Sequence, residues 1–195
     1  MILDDKLKRD IKEILENGGV IGFVTDTVWG IGCLPENEIA IKKIYEIKGR
    51  EKDKPLILMS DDTYPLFDYI KDIPKQGQRL IKKHFAGALT VVVPKSEKTK
   101  DYITSGLDTV GIRVPDNKVF QEICQSLEGR VLATTSANLS NEPAALTYEE
   151  AIEYIGDKVD LVIKDYGYKA QGLASTVIGF KGEETIVFRQ GIIKI

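Results

Sequence analysis

The chain has 195 residues, 43% of them hydrophobic and 29% charged, with a formal net charge of −3. That length and apolar content suit one large globular domain or two small ones with a sizeable core. The charge balance excludes a protein that grips nucleic acid through a basic surface as a whole, so any polyanion site must be a local concentration of Lys and Arg.

Two cysteines, Cys33 and Cys124, sit in apolar segments without metal-like or redox-like neighbours, which argues against a disulfide framework and for a reducing compartment. The single histidine, His84, cannot supply a paired-His mechanism or a His-rich metal site, and reads as a half-buried helix residue. The N-terminus, Met1 to Lys6, is charged too soon for a signal peptide. No stretch approaches the roughly 18 to 20 apolar residues of a membrane span. The expected location is cytoplasmic, with no membrane partner.

In chain order, Asp4 can cap a helix carrying Leu7, Ile11, Ile14 and Leu15 on one face, ended by Gly18 and Gly19. Val20–Val24 reads as a buried strand. It runs into a polar loop, Thr25-Asp26-Thr27, with a glycine-rich exit at Gly30 and Gly32. A helix follows over Asn37–Ile47, and a strand over Pro55–Met59. Helical patterns lie near Asp62–Ile70 and Pro74–Phe85, then strands at Leu89–Val93 and Val110–Val114. A helix over Asn117–Leu127 leads to a strand at Val131–Thr134, which opens into Ser136-Ala137-Asn138. A last helix over Tyr148–Ile155 precedes strands at Val159–Ile163, Ser175–Ile178 and Thr185–Phe188. Alternation in the first two-thirds and a strand-rich final third predict an α/β domain with a twisted, mostly mixed sheet.

Three groups of residues carry chemistry. Lys48, Arg50, Lys52 and Lys54 recur at every second position, which in an extended segment presents one positive face, and Gly49 lets the backbone approach a ligand. Such a face suits a triphosphate, with Arg as a fork and Lys as a point charge. The bland alternative is a solvated loop partly neutralised by Glu51 and Asp53. Second, the hydroxyls and amide of Thr134-Thr135-Ser136-Ala137-Asn138, at a strand end, can bind phosphate, ribose or carboxylate, or simply cap a turn. Third, Arg113 and Arg189 each follow a hydrophobic run, and a charge that close to a core has either a ligand or a structural ion-pair partner. Neither a Walker phosphate loop, nor a dinucleotide fingerprint, nor a nucleophile elbow is present. Bound ATP would therefore be held chiefly by side-chain cations.

Taken in order, these segments resemble the YrdC-type L-threonylcarbamoyl-AMP synthases. The matching pieces are Thr25–Gly32, Ile47-Lys48-Gly49-Arg50, Lys54-Pro55-Leu56, Gly87–Thr90, Thr109–Pro115, Ser136–Ser140, Ala174–Val177 and Arg189-Gln190-Gly191. Each is weak alone; eight in the family's order, spanning residues 10 to 192, are specific, the pair Lys48-x-Arg50 and Ser136-x-Asn138 most of all. Differences from the usual pattern include Val24, Trp29, Ala86, Ala88, Thr135 and Gln190. Met59 stands where some members carry His, which removes one polar contact from an amino-acid pocket and adds a flexible apolar one.

The resemblance implies a single YrdC-like domain over residues 1–195, in the family's short form, with the sheet and its flanking helices around a basic concave cleft. It implies a nucleotidyltransferase reaction in which L-threonine, bicarbonate and ATP give threonylcarbamoyl-AMP and pyrophosphate. A separate threonylcarbamoyl transferase complex would then modify an adenosine of tRNA. By position, Thr27, Arg113, Thr134 and Ser175 would hold threonine. Lys48, Arg50, Lys54, Thr109, Ser136, Asn138 and Arg189 would hold ATP, with Lys48, Arg50, Ser136 and Asn138 as the catalytic set. Mg²⁺ is expected on the phosphates, held largely by ATP itself. Two other readings stay open: a non-catalytic relative that binds tRNA or double-stranded RNA in the same cleft, and a carbamoyl-adenylate-forming enzyme.

Overall fold

The computed structural model describes residues 1–49, 54–140 and 142–195. Among them, β1 (Ile21–Phe23), β2 (Gly30–Cys33), β3 (Ile57–Ser60), β4 (Leu89–Pro94), β5 (Thr109–Arg113), β6 (Val131–Ser136), β7 (Leu161–Val162), β8 (Thr176–Lys181) and β9 (Glu184–Arg189) form one sheet. Its spatial order is β7-β1-β2-β6-β3-β5-β4-β8-β9. Parallel pairs (β1 with β7, β3 with β5, β4 with β8) are interspersed with antiparallel ones, so the sheet is mixed, as the sequence pattern predicts.

The helices are α1 (Asp5–Glu16), α2 (Glu38–Lys48), α3 (Lys75–His84), α4 (Asp101–Thr104), α5 (Lys118–Gln125) and α6 (Tyr148–Ile155). Side-chain caps start four of them: Asp4 accepts from Leu7 N, Asn37 from Ala40 N, Asn117 from Phe120 N, and Thr147 with Glu150 forms a reciprocal capping box. Their apolar faces, such as Ile11 and Leu15 or Ile41 and Ile44, are fully buried against the sheet's core.

Several expectations change. Gly30 and Gly32, read from sequence as a loop exit, lie in a strand. A Cβ on Gly30 would come within 3.0 Å of the Phe23 ring, and one on Gly32 within 3.0 Å of the Thr134 methyl. The glycines let β2 settle closely between β1 and β6, where an added Cβ would have to push its neighbours aside. The segment Tyr64–Tyr69 is a 3₁₀ helix with Pro65 near its start, α4 was not anticipated, and the strand expected over Val159–Ile163 shrinks to Leu161–Val162.

The largest change concerns the cation row. Lys48 is the last residue of α2, not part of an extended segment, and Gly49 closes the helix in the left-handed conformation at φ 58°. A Cβ on Gly49 would meet nothing, so backbone conformation alone, without any crowding, favours glycine there. Arg50 and Lys52, the middle of the expected row, lie outside the described residues, as do Glu51, Asp53 and Asn141.

Candidate functional site

A cleft of about 520 Å³ opens over one face of the sheet. Strand alternation explains its lining: Ile57 and Met59, Thr134 and Ser136, and Ser175 and Val177 are pairs two residues apart, so each pair faces the same side. Register then brings separate strands into line. Ser136 is opposite Gly30, Thr134 opposite Ile57, Met59 opposite Arg113, and Val177 is paired with both Thr90 and Arg189.

On one wall, the ammonium of Lys48 is buried. It donates to the Ser136 carbonyl at 2.7 Å, the Asn138 carbonyl at 2.6 Å and Asn138 Oδ1 at 2.5 Å. Ser136 Oγ donates to Asn138 Oδ1 at 2.6 Å, and the Asn138 amide donates to the Glu142 carbonyl. The end of β6 and the end of α2 are thus locked together by one charge. The lysine and the Ser-Ala-Asn turn, far apart in sequence, form one unit.

On the facing wall, Arg113 is almost fully buried. Its Nε donates to the Gly87 carbonyl at 3.0 Å, Nη1 to Thr27 Oγ1 at 2.9 Å, and Nη2 to Asp26. Burial pushes the Asp26 carboxyl up, with the Arg113 charge opposing it; burial likewise pulls the guanidinium down, against the pull of Asp26. Such a pair is sustained by mutual compensation. Three of its five N–H groups are used by these partners, so Arg113 does not have its Nε edge free for a carboxylate.

Beside it, Ser175 Oγ lies 2.8 Å from Thr90 Oγ1, and Arg189 donates to the Ser175 carbonyl at 3.1 Å and to Ser175 Oγ at 3.2 Å. Burial lowers the Arg189 guanidinium from its ordinary value. Thr134 Oγ1 donates to the Ile57 carbonyl at 3.1 Å and keeps its lone pairs for a ligand.

The fold therefore brings Thr27, Lys48, Lys54, Arg113, Thr134, Ser136, Asn138, Ser175 and Arg189 to one cleft. Thr109 is elsewhere. It sits four residues before Arg113, about 13 Å along an extended strand, and lines a separate hollow with Phe180 and Phe188. Arg50 lies outside the described residues. Sequence reasoning missed Asp26 as the partner of Arg113, and Thr90, a lone hydroxyl in the apolar strand β4. A buried hydroxyl within Leu89–Val93 was the available signal for the second. The cleft's cations are partly compensated already, and Glu142 also lines it, so its charge is less one-sided than a strongly basic groove.

A wide mixed sheet with a polar cleft of paired cations and hydroxyls across its strand ends defines an α/β protein built to bind a polar small molecule. A sequence model of the Sua5/YciO/YrdC family, described as "Telomere recombination", matches residues 13–191, and the chain belongs to this family. It is 35% identical over 177 residues to a threonylcarbamoyl-AMP synthase of Pyrococcus abyssi, covering 91% of this chain and 52% of that protein. It is 33% identical over 156 residues to one of Vibrio campbellii, covering 79% of this chain and 84% of that protein. The chain spans about half the length of the P. abyssi and Bacillus subtilis relatives it matches. Among solved structures, P. abyssi Sua5 complexed with L-threonine superposes at TM-score 0.90 with 32% identity, over 97% of this chain and 55% of that one. Escherichia coli YciO does so at 0.85 with 26% identity, over 97% and 91%.

Proposed function

We propose that the cleft forms threonylcarbamoyl-AMP and pyrophosphate from L-threonine, bicarbonate and ATP, as a step toward tRNA modification. One observation carries this reading: the Lys48–Ser136–Asn138 unit and the Arg113–Thr27 unit line one cleft, in a chain that is similar to threonylcarbamoyl-AMP synthases over most of its length.

The reaction needs two anions side by side. A carbamate oxygen on the threonine nitrogen attacks the α-phosphorus, the bond from that phosphorus to the bridging oxygen breaks, and pyrophosphate leaves with the electron pair. Arg113 would orient the threonine carboxylate through its remaining N–H groups. Ser175 and Thr134 would meet the hydroxyl. Lys48, Lys54 and Arg189 would supply positive charge where phosphoryl charge develops, and Ser136 and Asn138 would orient the nucleotide. Arg50 joins this set on the family resemblance.

Among the described residues, no group of three or more His, Cys, Asp or Glu is placed to hold a metal. Mg²⁺ belongs to the proposal as an ion carried in by the triphosphate, where it would neutralise phosphate charge. A transferase complex that takes the adenylate to tRNA is the proposed downstream partner. Among the described residues, no helix is long and apolar enough to cross a membrane.

The test is pyrophosphate release with ATP and bicarbonate, with and without threonine. Release that depends on threonine is expected. Release that is equal without threonine favours a carbamoyl-adenylate reaction, and no release removes the catalytic reading.

A further inference from the structure

Nearly all buried polar atoms in a folded protein have a hydrogen-bond partner, so each exception asks for an explanation. Among the described residues, three buried side-chain atoms have none: Trp29 Nε1, Ser140 Oγ and Thr185 Oγ1. Two of the three, on Trp29 and Ser140, belong to residues lining the same cleft. Thr185 lies on the edge strand β9, away from it.

Trp29 is fully buried and firmly placed. Its backbone N–H donates to the Ala145 carbonyl at 2.9 Å, its carbonyl accepts from Ala137 at 2.8 Å, and its ring leans on Tyr148 with centroids 5.9 Å apart. Ser140 is fixed by its own backbone N–H, which donates to the Lys48 carbonyl at 3.0 Å. Both residues thus border the turn that Lys48 holds. An indole N–H can only donate, and a serine hydroxyl can donate. Unpaired in a cleft that already contains the Lys48 ammonium, they suit an acceptor atom, and the cations nearby favour an oxygen bearing negative charge.

We propose that Trp29 Nε1 and Ser140 Oγ are donors that close onto an anionic oxygen of the bound ligand, a phosphate or a carboxylate, and so select the ligand's position in the cleft. This rests on the cleft being the substrate site. Leaving a buried donor unpaired in the free protein costs that state its full desolvation penalty; satisfying it only on binding adds the recovered hydrogen bond to affinity.

Trp29 is the chain's sole tryptophan, so an ¹⁵N-indole label gives one side-chain resonance. It is followed on the intact protein with tripolyphosphate, Mg²⁺-ATP and L-threonine in turn. A downfield shift with slowed solvent exchange is expected, and the ligand that causes it identifies phosphate or carboxylate as the source. Trp29→Phe keeps a buried ring without the donor, and KM for that ligand is expected to rise about tenfold, the loss of one hydrogen bond to a charged group. Ser140→Ala, a smaller change, is expected to raise the same KM and serves if Trp29→Phe does not fold. A resonance unmoved by all three ligands overturns the proposal. So does a folded Trp29→Phe whose KM values match wild type. Absence of threonine-dependent pyrophosphate release defeats the functional reading separately, and the resonance then decides on its own whether an anionic oxygen meets Trp29.

Discussion

The two walls of the cleft hold a buried cation in different ways. Lys48 donates to two carbonyls and an amide oxygen of the β6 turn and so ties that turn to the end of α2. Arg113 is met by the Asp26 carboxylate, so on this wall an ion pair is built into the site, with Arg189 beside it on Ser175. The proposed ligands differ in kind as well. A triphosphate is a polyanion that benefits from several converging cations, whereas threonine is a zwitterion that needs donors in a fixed place more than net charge.

Breaking the compensated wall should have the largest effect. Asp26→Ala leaves Arg113 buried and without its counter-ion, a change that costs about 3 to 5 kcal/mol. A steep fall in denaturation midpoint is expected, with threonine affinity lost in whatever folds. A midpoint within a degree or two of wild type would show that the ion pair does not hold this wall.

Lys48→Ala tests the other wall. Its loss strands the Ser136 and Asn138 carbonyls and removes the charge next to the nucleotide. Transition-state stabilisation of about 2 to 4 kcal/mol is expected to go, by analogy with one oxyanion donor, together with a moderate loss of stability. Lys48→Arg should not restore activity, because a planar fork cannot point three N–H groups at one converging set of oxygens. Full activity in Lys48→Ala would remove the lysine from the reaction.

The contrast between the walls was only half visible in the sequence. Lys48 and the Ser136-x-Asn138 turn stood out as motifs, and the isolation of Arg113 at a strand end called for an anionic partner or ligand. What the sequence hid was geometry. The alternation from Lys48 to Lys54 matches an extended strand, yet helix α2 runs through Lys48 and aims it inward at β6. Local period cannot show this, because the contact that fixes Lys48 lies about ninety residues away in the chain. Strand β2 was hidden for another reason: its glycines are chosen by the Phe23 ring and the β6 backbone, neighbours that exist only after folding. Thr109, placed with ATP by the family resemblance, stands four residues before Arg113 on an extended strand and lines a neighbouring hollow instead of this cleft.

Amino-acid selectivity sharpens the picture of the Arg113 wall. Valine lacks the threonine hydroxyl and would leave Ser175 and Thr134 facing a methyl group. A site that binds a hydroxyl by hydrogen bonds rejects its apolar analogue strongly, while one missing methyl costs only about 1 to 3 kcal/mol. Serine is therefore expected to support partial pyrophosphate release and valine almost none. Equal turnover with valine and threonine would show that the wall does not read the hydroxyl.

The smallest effect is expected outside the cleft, where a third charge is handled in a third way. Glu122 on α5 accepts from Ile2 N at 2.8 Å and Leu3 N at 3.0 Å and pairs with Lys8 at 3.1 Å, pinning the N-terminal segment. Partial burial acts to raise this carboxyl, but the two backbone N–H groups and Lys8 outweigh it and hold the group below its ordinary value. A depressed folded value means the stabilisation is complete above the ordinary glutamate value of about 4.3. It fades as the pH falls through the folded value. Glu122→Gln should cost about 1 kcal/mol at neutral pH, since the clamp is partly open to solvent. The gap between wild type and variant should close in acid, and pyrophosphate release should stay at the wild-type rate. A gap that persists unchanged well below pH 4 would mean that shape, not charge, makes this clamp. A loss of turnover would mean that the N-terminal segment communicates with the cleft, and that the two walls are not as self-contained as their hydrogen bonds imply.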